Sequence, residues 1–403
     1  MRVRGGTRRA AGLAALAVLT AAACINFESA IPVQASPVEA ARSVDAVFGT
    51  VAGDGADDVV VAVTVPETDV IVRMAPCGDG CLERREEIWV GDTVQDLAVA
   101  DVDGDGTDDV AAASFDRQTG EADVRVFFGS PAATGRPEGL VADDSVVAAA
   151  DPFFGGWDQV AADDLDGDGD IDLALAGGGR SGGGRYDYVA GDGDGGFAPP
   201  REVLFLSSRQ SLTGLAVGDV TGDGQHDLVV SIVDFEFTSH LLVYENGTTQ
   251  AWRHSATDGL FEDLAVGDID GDGIDDVAVT TNFGGFLDPN VRLLRSTGTA
   301  FSGFGDDGAV TSVAEDGSEI ALRDIDLDGH VDLLATSDTG LRWWHGTGNG
   351  AFIVPIRRDA GPNPRNLELD TRSGAPGPDL LVTNSTAPFA QVSYLVNASR
   401  LPE

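Results

Sequence analysis

The segment Asp268-Ile269-Asp270-Gly271-Asp272-Gly273-Ile274-Asp275-Asp276 is the most informative part of this chain, because its pattern recurs. Four other segments place Asp or one Thr at positions 1, 3, 5 and 9, and Gly at position 6. They are residues 101–109, 164–172, 219–227 and 324–332. Degenerate copies at 50–58 and 371–379 keep only later positions of the pattern. Self-similarity at a period of about 50 residues indicates a repeat architecture.

Each copy is flanked by apolar runs that are short enough to be strands. Leu264-Ala265-Val266 precedes the quoted segment, and Val110-Ala-Ala-Ala113 follows the copy at 101–109. A further run, Val291–Leu294, comes before the turn at Ser296–Thr299. Helical periodicity is absent after residue 24, apart from a short piece around Val38 to Arg42. Four short strands per repeat with many glycine turns are typical of a β-propeller blade.

The motif Asp-x-Asp-x-Asp-Gly-x-x-Asp between apolar strands resembles the FG-GAP and VCBS repeat proteins, whose best-known relatives are the integrin α-subunit propellers. The resemblance covers roughly residues 45–397. It implies an all-β fold, a seven-bladed β-propeller of four-stranded blades. The last unit offers only three strands before residue 403. We therefore predict that Ile31 to Ala35 supplies the missing strand and closes the ring, which would hide both sheet edges.

The Asp loops have the composition of calcium sites, because a hard cation takes about six to eight oxygen ligands. Carboxylates at positions 1, 3 and 5 converge in a tight loop, position 7 offers a backbone carbonyl, and position 9 adds a carboxylate. The predicted ligands are Asp101, Asp103, Asp105, Thr107 and Asp109; Asp164, Asp166, Asp168, Asp170 and Asp172; Asp219, Thr221, Asp223, Gln225 and Asp227; Asp268, Asp270, Asp272, Ile274 and Asp276; and Asp324, Asp326, Asp328, His330 and Asp332. We expect about five structural Ca²⁺ ions, with weaker binding where Thr221 replaces a carboxylate.

The loops admit two other interpretations. A helix–loop–helix calcium site needs Glu at position 12, where this chain has apolar residues in all five copies. That version is excluded. The alternative of solvated acidic turns without an ion stays open for any single loop. Five loops in register disfavour it, since clustered carboxylates repel one another without a cation. The degenerate copies are expected to bind nothing.

The N-terminus has the pattern of an export signal. Four Arg precede an apolar run from Ala10 to Ala23, which is too short to span a bilayer of about 30 Å. The run ends at Ala21-Ala22-Ala23-Cys24, which resembles a bacterial lipoprotein signal cut before a lipid-modified Cys24. We predict a signal peptide at 1–23, a lipid-anchored tether with the possible closing strand at 24–43, and the propeller at 44–403. Secretion without an anchor is the alternative.

Two further cysteines, Cys77 and Cys81, lie in a Gly-rich segment. A turn can bring residues four apart within disulfide distance, and exported compartments permit the bond. We expect a Cys77–Cys81 disulfide that clips a hairpin. A metal site with two Cys ligands is the rival interpretation, but no third Cys or His is near.

Charge and composition exclude several functions. The formal net charge is −42 and all 25 basic residues are Arg. Such an acidic chain repels phosphate backbones, so we expect no nucleic-acid partner. Without Lys there is no Schiff-base or phosphate-loop lysine chemistry. Gly179-Arg-Ser181-Gly-Gly183 and Gly191–Gly196 match nucleophile-elbow and dinucleotide patterns in letters only, because neither leads into a predicted helix. We therefore identify no catalytic residues.

The function expected is a monomeric, calcium-stabilised binding or adhesion module at the cell envelope or surface, with an extracellular protein or polysaccharide ligand. The membrane contact would be only through the lipid anchor. By resemblance to integrin, the ligand would bind on the face opposite the Asp loops. Phe153-Phe154-Gly-Gly-Trp157 is the predicted contact surface. The alternatives are a structural or assembly scaffold and a polysaccharide-acting hydrolase or lyase.

Overall fold

The computed structural model describes the strands and most loops of the chain. The described residues are 31–34, 42–52, 58–64, 69–76, 82–90, 93–115, 122–130, 139–150, 156–178, 183–256, 260–282, 290–303, 309–312, 319–337, 340–353, 355–358, 360, 364–369, 380–384 and 391–395. Among them, no helix has the length and apolar character needed to cross a membrane.

All regular elements described are β-strands. They are β1 Ile31–Gln34, β2 Arg42–Gly49, β3 Asp58–Thr64, β4 Asp69–Pro76, β5 Leu82–Trp89, β6 Thr93–Ala100, β7 Asp109–Phe115, β8 Ala122–Phe128, β9 Val141–Ala150, β10 Gln159–Asp163, β11 Asp172–Gly178, β12 Gly184–Val189, β13 Arg201–Leu206, β14 Gln210–Gly218, β15 Asp227–Asp234, β16 Ser239–Glu245, β17 Thr249–Ala256, β18 Leu260–Gly267, β19 Asp276–Asn282, β20 Asn290–Ser296, β21 Phe301–Gly303, β22 Ala309–Ser312, β23 Ile320–Arg323, β24 Asp332–Ser337, β25 Gly340–Trp344, β26 Ile356–Arg358, β27 Pro364–Leu369, β28 Leu380–Asn384 and β29 Gln391–Leu395.

The strands form antiparallel blades. Six blades consist of four consecutive strands each, β2–β5, β6–β9, β10–β13, β14–β17, β18–β21 and β23–β26, and β22 adds to the fifth by pairing with β20. The first strands of successive blades contact one another in chain order. The prediction of an all-β propeller with four-stranded blades is confirmed.

The last repeat unit is built differently from the other six. It supplies only β27, β28 and β29, and β1 from the other end of the chain pairs antiparallel with β29, from Ile31 opposite Tyr394 to Gln34 opposite Gln391. The sequence predicts seven four-stranded blades, the last of them completed by a strand from Ile31 to Ala35. The described residues form six blades of four consecutive strands and one composite sheet, in which Ile31–Gln34 supplies the closing strand as predicted. The composite sheet packs against β2 and β24.

The core lies between neighbouring blades, since each blade is apolar on both faces. Trp343 and Trp344 in β25 illustrate this arrangement. Successive side chains of a strand point to opposite faces. Trp343 accordingly packs with residues of the composite sheet, while Trp344 packs with residues of the fifth blade. Their side chains thereby join one blade to the cores on both of its sides.

Carboxylates of buried or partly buried Asp side chains also join the first strands of adjacent blades. Asp45 Oδ2 accepts a hydrogen bond from Leu97 N at 2.8 Å, and Asp96 Oδ2 accepts one from Val160 N at 2.8 Å. Asp263 Oδ2 accepts one from Ile320 N at 2.8 Å. Asp45 and Asp263 lie beside bulges in their strands, where the ladder register shifts. These side chains therefore hold adjacent blades together through hydrogen bonds. This role was not predicted from the sequence.

The interblade hydrogen bond of Asp263 predicts a pH dependence of stability. Desolvation by burial raises the pKa of Asp263 to about 7, against the hydrogen bonds from Ile320 and Leu264, which lower it. An unfolded Asp releases its proton near pH 3.9, about three pH units lower. Between these values the native state binds more protons than the unfolded state, so the free energy of unfolding falls as the pH rises from about 4 to about 7.

Substituting Asp263→Asn removes this titration and keeps an acceptor for Ile320 N. In urea unfolding with chelator between pH 4.5 and 7.5, we expect the variant to lose less stability with rising pH than the wild type. Parallel pH profiles for the two proteins would contradict the assignment.

Candidate metal centres

The five Asp loops all connect the first and second strands of their blades. They follow β6, β10, β14, β18 and β23, and in each loop the position-9 Asp begins the next strand. Because every blade has the same strand order, the loops lie on one face of the propeller. Hairpins between second and third strands lie on the opposite face.

Inside each loop the carboxylates organise the backbone. In the loop 268–276, Asp268 Oδ1 accepts Gly271 N at 2.7 Å and Oδ2 accepts Gly273 N at 3.0 Å. Asp272 Oδ1 accepts Ile274 N at 3.0 Å. The equivalent position-1 and position-5 bonds to the glycine at position 6 and to position 7 occur in all five loops. The residues at positions 1 and 5 therefore fold the loop.

The glycine at position 6 is required by backbone conformation alone. Gly273 has a φ of +86°, and a Cβ added there would meet nothing within 4 Å. The same holds for Gly106, Gly169, Gly224 and Gly329. Position 4 also has a positive φ, and in the loop 324–332 this position is Leu327, at +59° and 50% exposed. That loop thus carries a conformation that glycine adopts at lower cost.

The carboxylate at position 9 links the loop to the third strand of its blade. Asp276 is fully buried, and its Oδ2 accepts Ile269 N at 3.1 Å while its Oδ1 accepts Ser296 N at 2.8 Å. Asp332 makes the corresponding bonds with Ile325 N and Gly346 N. Desolvation by burial raises the pKa of both carboxyls to about 7. Position 9 is therefore a structural junction as well as a candidate ligand.

Several loops bring carboxylates close enough to hold a metal ion. Ligand atoms of positions 1, 3 and 9 lie within 4.8 Å of one another in the loops 101–109, 164–172 and 268–276. In the loop 324–332 this holds for Asp324, Asp326 and Asp328, and for Asp326, Asp332 and His345. The loop 219–227 has no such group among the described residues, which agrees with Thr221 at position 3.

Side chains at the end of the third strand approach three of these clusters. Tyr188 Oη donates to Asp166 Oδ2 at 2.8 Å. His345 Nδ1 lies 2.8 Å from Asp326 Oδ2. Arg295 forms ion pairs with Asp270 and Asp272. These contacts are not predictable from local sequence patterns, because the whole second strand separates the third strand from the loop.

Position 8 contacts the preceding blade, which the sequence analysis also missed. Asp108 Oδ2 accepts hydrogen bonds from Thr50 N and Thr50 Oγ1, at 2.6 and 2.8 Å. Asp275 Oδ2 accepts Asp219 N at 2.9 Å. His226 Nδ1 lies 2.9 Å from Asp163 Oδ2. The available signal was a polar residue at position 8 in three of the five loops; the other two have Ile171 and Val331 there.

The predicted contact surface at 153–157 is wrong for the part that the structure describes. Trp157 is only 1% exposed, and its indole Nε1 donates to Asp187 Oδ2 at 2.6 Å. The Arg185 guanidinium lies over the Trp157 ring, 5.4 Å from the centroid. The Trp157 side chain packs in the hydrophobic core between the second and third blades. Residues 151–155 lie outside the described residues.

Aromatic side chains are exposed instead at the hairpin between β15 and β16. Phe235 is 69% exposed and Phe237 is 68% exposed. Asp234 Oδ1 accepts both Glu236 N and Thr238 N at 2.9 Å, which closes the turn. Phe237 has a φ of +60°, a conformation that costs a bulky residue free energy. This aromatic hairpin, residues 234–238, lies on the face opposite the Asp loops.

Other sequence predictions fall outside the described residues. These are the signal peptide, Cys24, both Cys77 and Cys81, residues 53–57 of the first degenerate copy and the whole of the second, 371–379. The segment 77–81 joins β4 to β5, whose ends pair at Pro76 and Leu82. In the first degenerate copy, the position-9 residue Asp58 is buried and pairs with Arg73, Nη1 to Oδ2 at 3.1 Å.

Comparisons with known proteins agree with the repeat and with the fold. Residues 164–230, from the second Asp loop into β15, match the model of the FG-GAP-like repeat. No curated protein matches the chain. Among solved structures, an Agrocybe aegerita lectin that recognises non-reducing terminal N-acetylglucosamine is 16% identical, with a TM-score of 0.51 over 79% of this chain and 80% of the lectin.

A rhamnogalacturonan lyase of Bacillus licheniformis is 13% identical, with a TM-score of 0.42 over 90% of this chain and 77% of the lyase. At such identities the likeness to the lectin concerns the fold alone. The chain is an all-β propeller of four-stranded blades that contains an FG-GAP-like repeat at residues 164–230.

Proposed function

We propose that this protein is an exported, calcium-stabilised β-propeller that binds an extracellular protein or polysaccharide through the face opposite its Asp loops. The ring would have seven blades, with the composite sheet of β1 and β27–β29 as the seventh. The metal ions would be structural and the aromatic hairpin would contact the ligand. The hairpin is the single observation that carries the binding function.

Two oxygens at position 3 of the loops support the proposed metal binding. Asp270 Oδ1 and Thr221 Oγ1 are buried and have no hydrogen-bond partner among the described residues. Buried polar atoms are rarely left unpaired, because desolvation without a partner is costly. The donor set is oxygen at every predicted position except for the added His345, which favours Ca²⁺ as the resident ion. A bound ion would offset the mutual repulsion of the carboxylates.

The aromatic hairpin supports the proposed binding function because two energetically unfavourable features coincide in it. Two phenyl rings stay in water, and Phe237 holds an unfavourable φ. Strained residues persist where the surrounding structure fixes them, and they cluster at binding sites. Asp234 provides that fixation through its two backbone bonds, and Phe235 N donates to Arg209 O at 2.9 Å. A rigid, exposed aromatic pair loses little conformational entropy when it packs against a ligand.

The test compares three versions of the full chain in calcium: wild type, Phe235→Ser with Phe237→Ser, and Glu236→Ser. The third changes an exposed residue of the same hairpin and keeps both rings. Each version is bound to a panel of insoluble polysaccharides and to extracellular matrix proteins. We expect binding by the wild type and Glu236→Ser, and at least about a tenfold loss in the double variant. Equal binding by all three, or none by the wild type, would contradict the proposal.

Export and anchoring are part of the proposal and have a separate test. The residues that carry them are the apolar run ending at Ala23 and the cysteine that follows it. We expect fatty-acid labelling of the protein in a bacterial host, and loss of the label in Cys24→Ser with retention of secretion. Unlabelled wild-type protein in the medium would instead favour ordinary secretion.

A further inference from the structure

The loop 268–276 carries a built-in cation. The guanidinium of Arg295, from the end of β20, lies against two of its carboxylates. Its Nε is 2.6 Å from Asp270 Oδ2, and its Nη2 donates to Asp272 Oδ2 at 2.8 Å. These are positions 3 and 5, two of the five predicted metal ligands of that loop. An arginine guanidinium stays charged at every pH at which proteins are folded.

The placement of Arg295 is specific to this blade. Strand pairing sets Leu294 opposite Val277, and the equivalent pairs are Phe127 with Val110, Val189 with Leu173, Tyr244 with Leu228, and Trp344 with Leu333. The residues that follow the third-strand members are, in the same order, Arg295, Phe128, Ala190, Glu245 and His345. Among these five residues, Arg295 is the one with a permanent positive charge.

The first blade also has a third-strand arginine beside its loop, at a different register position, since Met74 and not Arg73 lies opposite Val59. Its loop is degenerate, with Thr50 at position 1 and Ala52 at position 3, yet position 9 is still an acid, Asp58. There Arg73, also on the third strand, pairs with the buried carboxylate. In that blade the arginine pairs with a carboxylate of a loop whose sequence offers a divalent ion few ligands. Arg295 places the same charge in a loop that retains Asp at positions 1, 3, 5 and 9.

We infer that Arg295 substitutes for a divalent ion at the loop 268–276, which stays folded without metal and binds Ca²⁺ more weakly than the loops 101–109 and 164–172. This inference rests on the proposed calcium function of the loops. A Ca²⁺ ion must displace the guanidinium or coexist with it. Coexistence is costly, because two cations would share the same carboxylates. Asp270 Oδ1, buried and without a described partner, remains as an acceptor that arginine does not satisfy.

The test uses Arg295→Met, which keeps an apolar stem and removes the charge. The matched control is Arg209→Met, since Arg209 is exposed and lies beside the start of β14, at the far end of that strand from its Asp loop. In urea unfolding with chelator, we expect a lower midpoint for Arg295→Met than for the control. Added Ca²⁺ should then raise the midpoint of Arg295→Met more than that of the control. Equal midpoints in chelator would overturn the inference.

Calcium titration calorimetry of the same variants supplies the second readout. We expect one site of Arg295→Met to bind Ca²⁺ about tenfold more tightly than in the wild type and in Arg209→Met. Adding Asp270→Asn to Arg295→Met should abolish that gain. Unchanged affinity at every site, in a protein whose other loops bind Ca²⁺, would overturn the inference. If no loop of the wild type binds Ca²⁺, the proposed function fails and the comparison in chelator alone decides the role of Arg295.

Discussion

Replacing Asp276 by alanine is expected to destabilise the protein by about 3 kcal/mol, even without metal. The substitution removes the acceptor for Ile269 N and Ser296 N, and both residues are only 1% exposed. Each orphaned backbone donor costs about 1–3 kcal/mol. The substitution therefore tests the structural role of position 9 separately from metal binding, since the two hydrogen bonds of Asp276 join β19 to the loop and to β20.

The measurement is urea unfolding in chelator, so that loss of a metal ligand does not contribute. Glu202→Ala is the control, because Glu202 is an exposed carboxylate on the outer strand β13. Its effect should stay within about 0.5 kcal/mol. If Asp276→Ala were no more destabilising than Glu202→Ala, position 9 would not be the junction described here.

Replacing Trp344 by alanine is expected to cost about 3–5 kcal/mol. Trp344 is 1% exposed and packs among residues of the fifth and sixth blades. The substitution leaves a cavity between two rigid sheets, which can relax only partially. The loss should appear in both thermal and urea unfolding.

The control for Trp344→Ala is Phe237→Ala, which removes a ring that is 68% exposed. Its effect on the free energy of unfolding should be small or favourable, because a ring this exposed makes few packing contacts that alanine would lose. A cost for Trp344→Ala below about 1 kcal/mol would contradict the placement of the core between the blades.

The sequence predicts the blades well because their signals are local. A loop such as 268–276 and the apolar runs on either side lie within about 20 residues, and the positive φ of Gly273 follows from the need for a sharp turn. Repetition then amplifies a pattern that would be ambiguous in one copy. The pairing of β1 with β29 could be anticipated only by aligning the last unit with the others.

Contacts between residues far apart in the sequence, whether within one blade or between two, could not be predicted from local patterns. Asp263 reaches Ile320 of the next blade, and Arg295 reaches a loop that precedes it by a whole strand. The signal for Asp263 was present as the repeated tetrads Asp96-Leu-Ala-Val99 and Asp263-Leu-Ala-Val266, in which the acid precedes an apolar strand. Its meaning became visible only when neighbouring blades were placed side by side.

The candidate binding surface was wrongly predicted for a related reason. Trp157 is of a residue type that is common at binding surfaces. In this fold its ring instead fills the core between two blades, and Asp187 accepts a hydrogen bond from its indole N–H. Phe235 and Phe237 alternate with acids in Asp234-Phe-Glu-Phe, which is indistinguishable from an alternating strand in the sequence. Only the turn bonds of Asp234 turn these rings into an exposed tip.

Measuring the melting temperature during a calcium titration shows directly whether Ca²⁺ stabilises the propeller. Extracellular modules bind Ca²⁺ with dissociation constants of about 10⁻⁴ to 10⁻³ M, so a site at the tighter limit gains about 1.4 kcal/mol in roughly 1 mM Ca²⁺. Several such loops together should raise the melting temperature by about 5 °C or more. We predict this rise with Ca²⁺ and a much smaller one with equal Mg²⁺. No rise, or the same rise with both ions, would contradict a calcium-stabilised propeller.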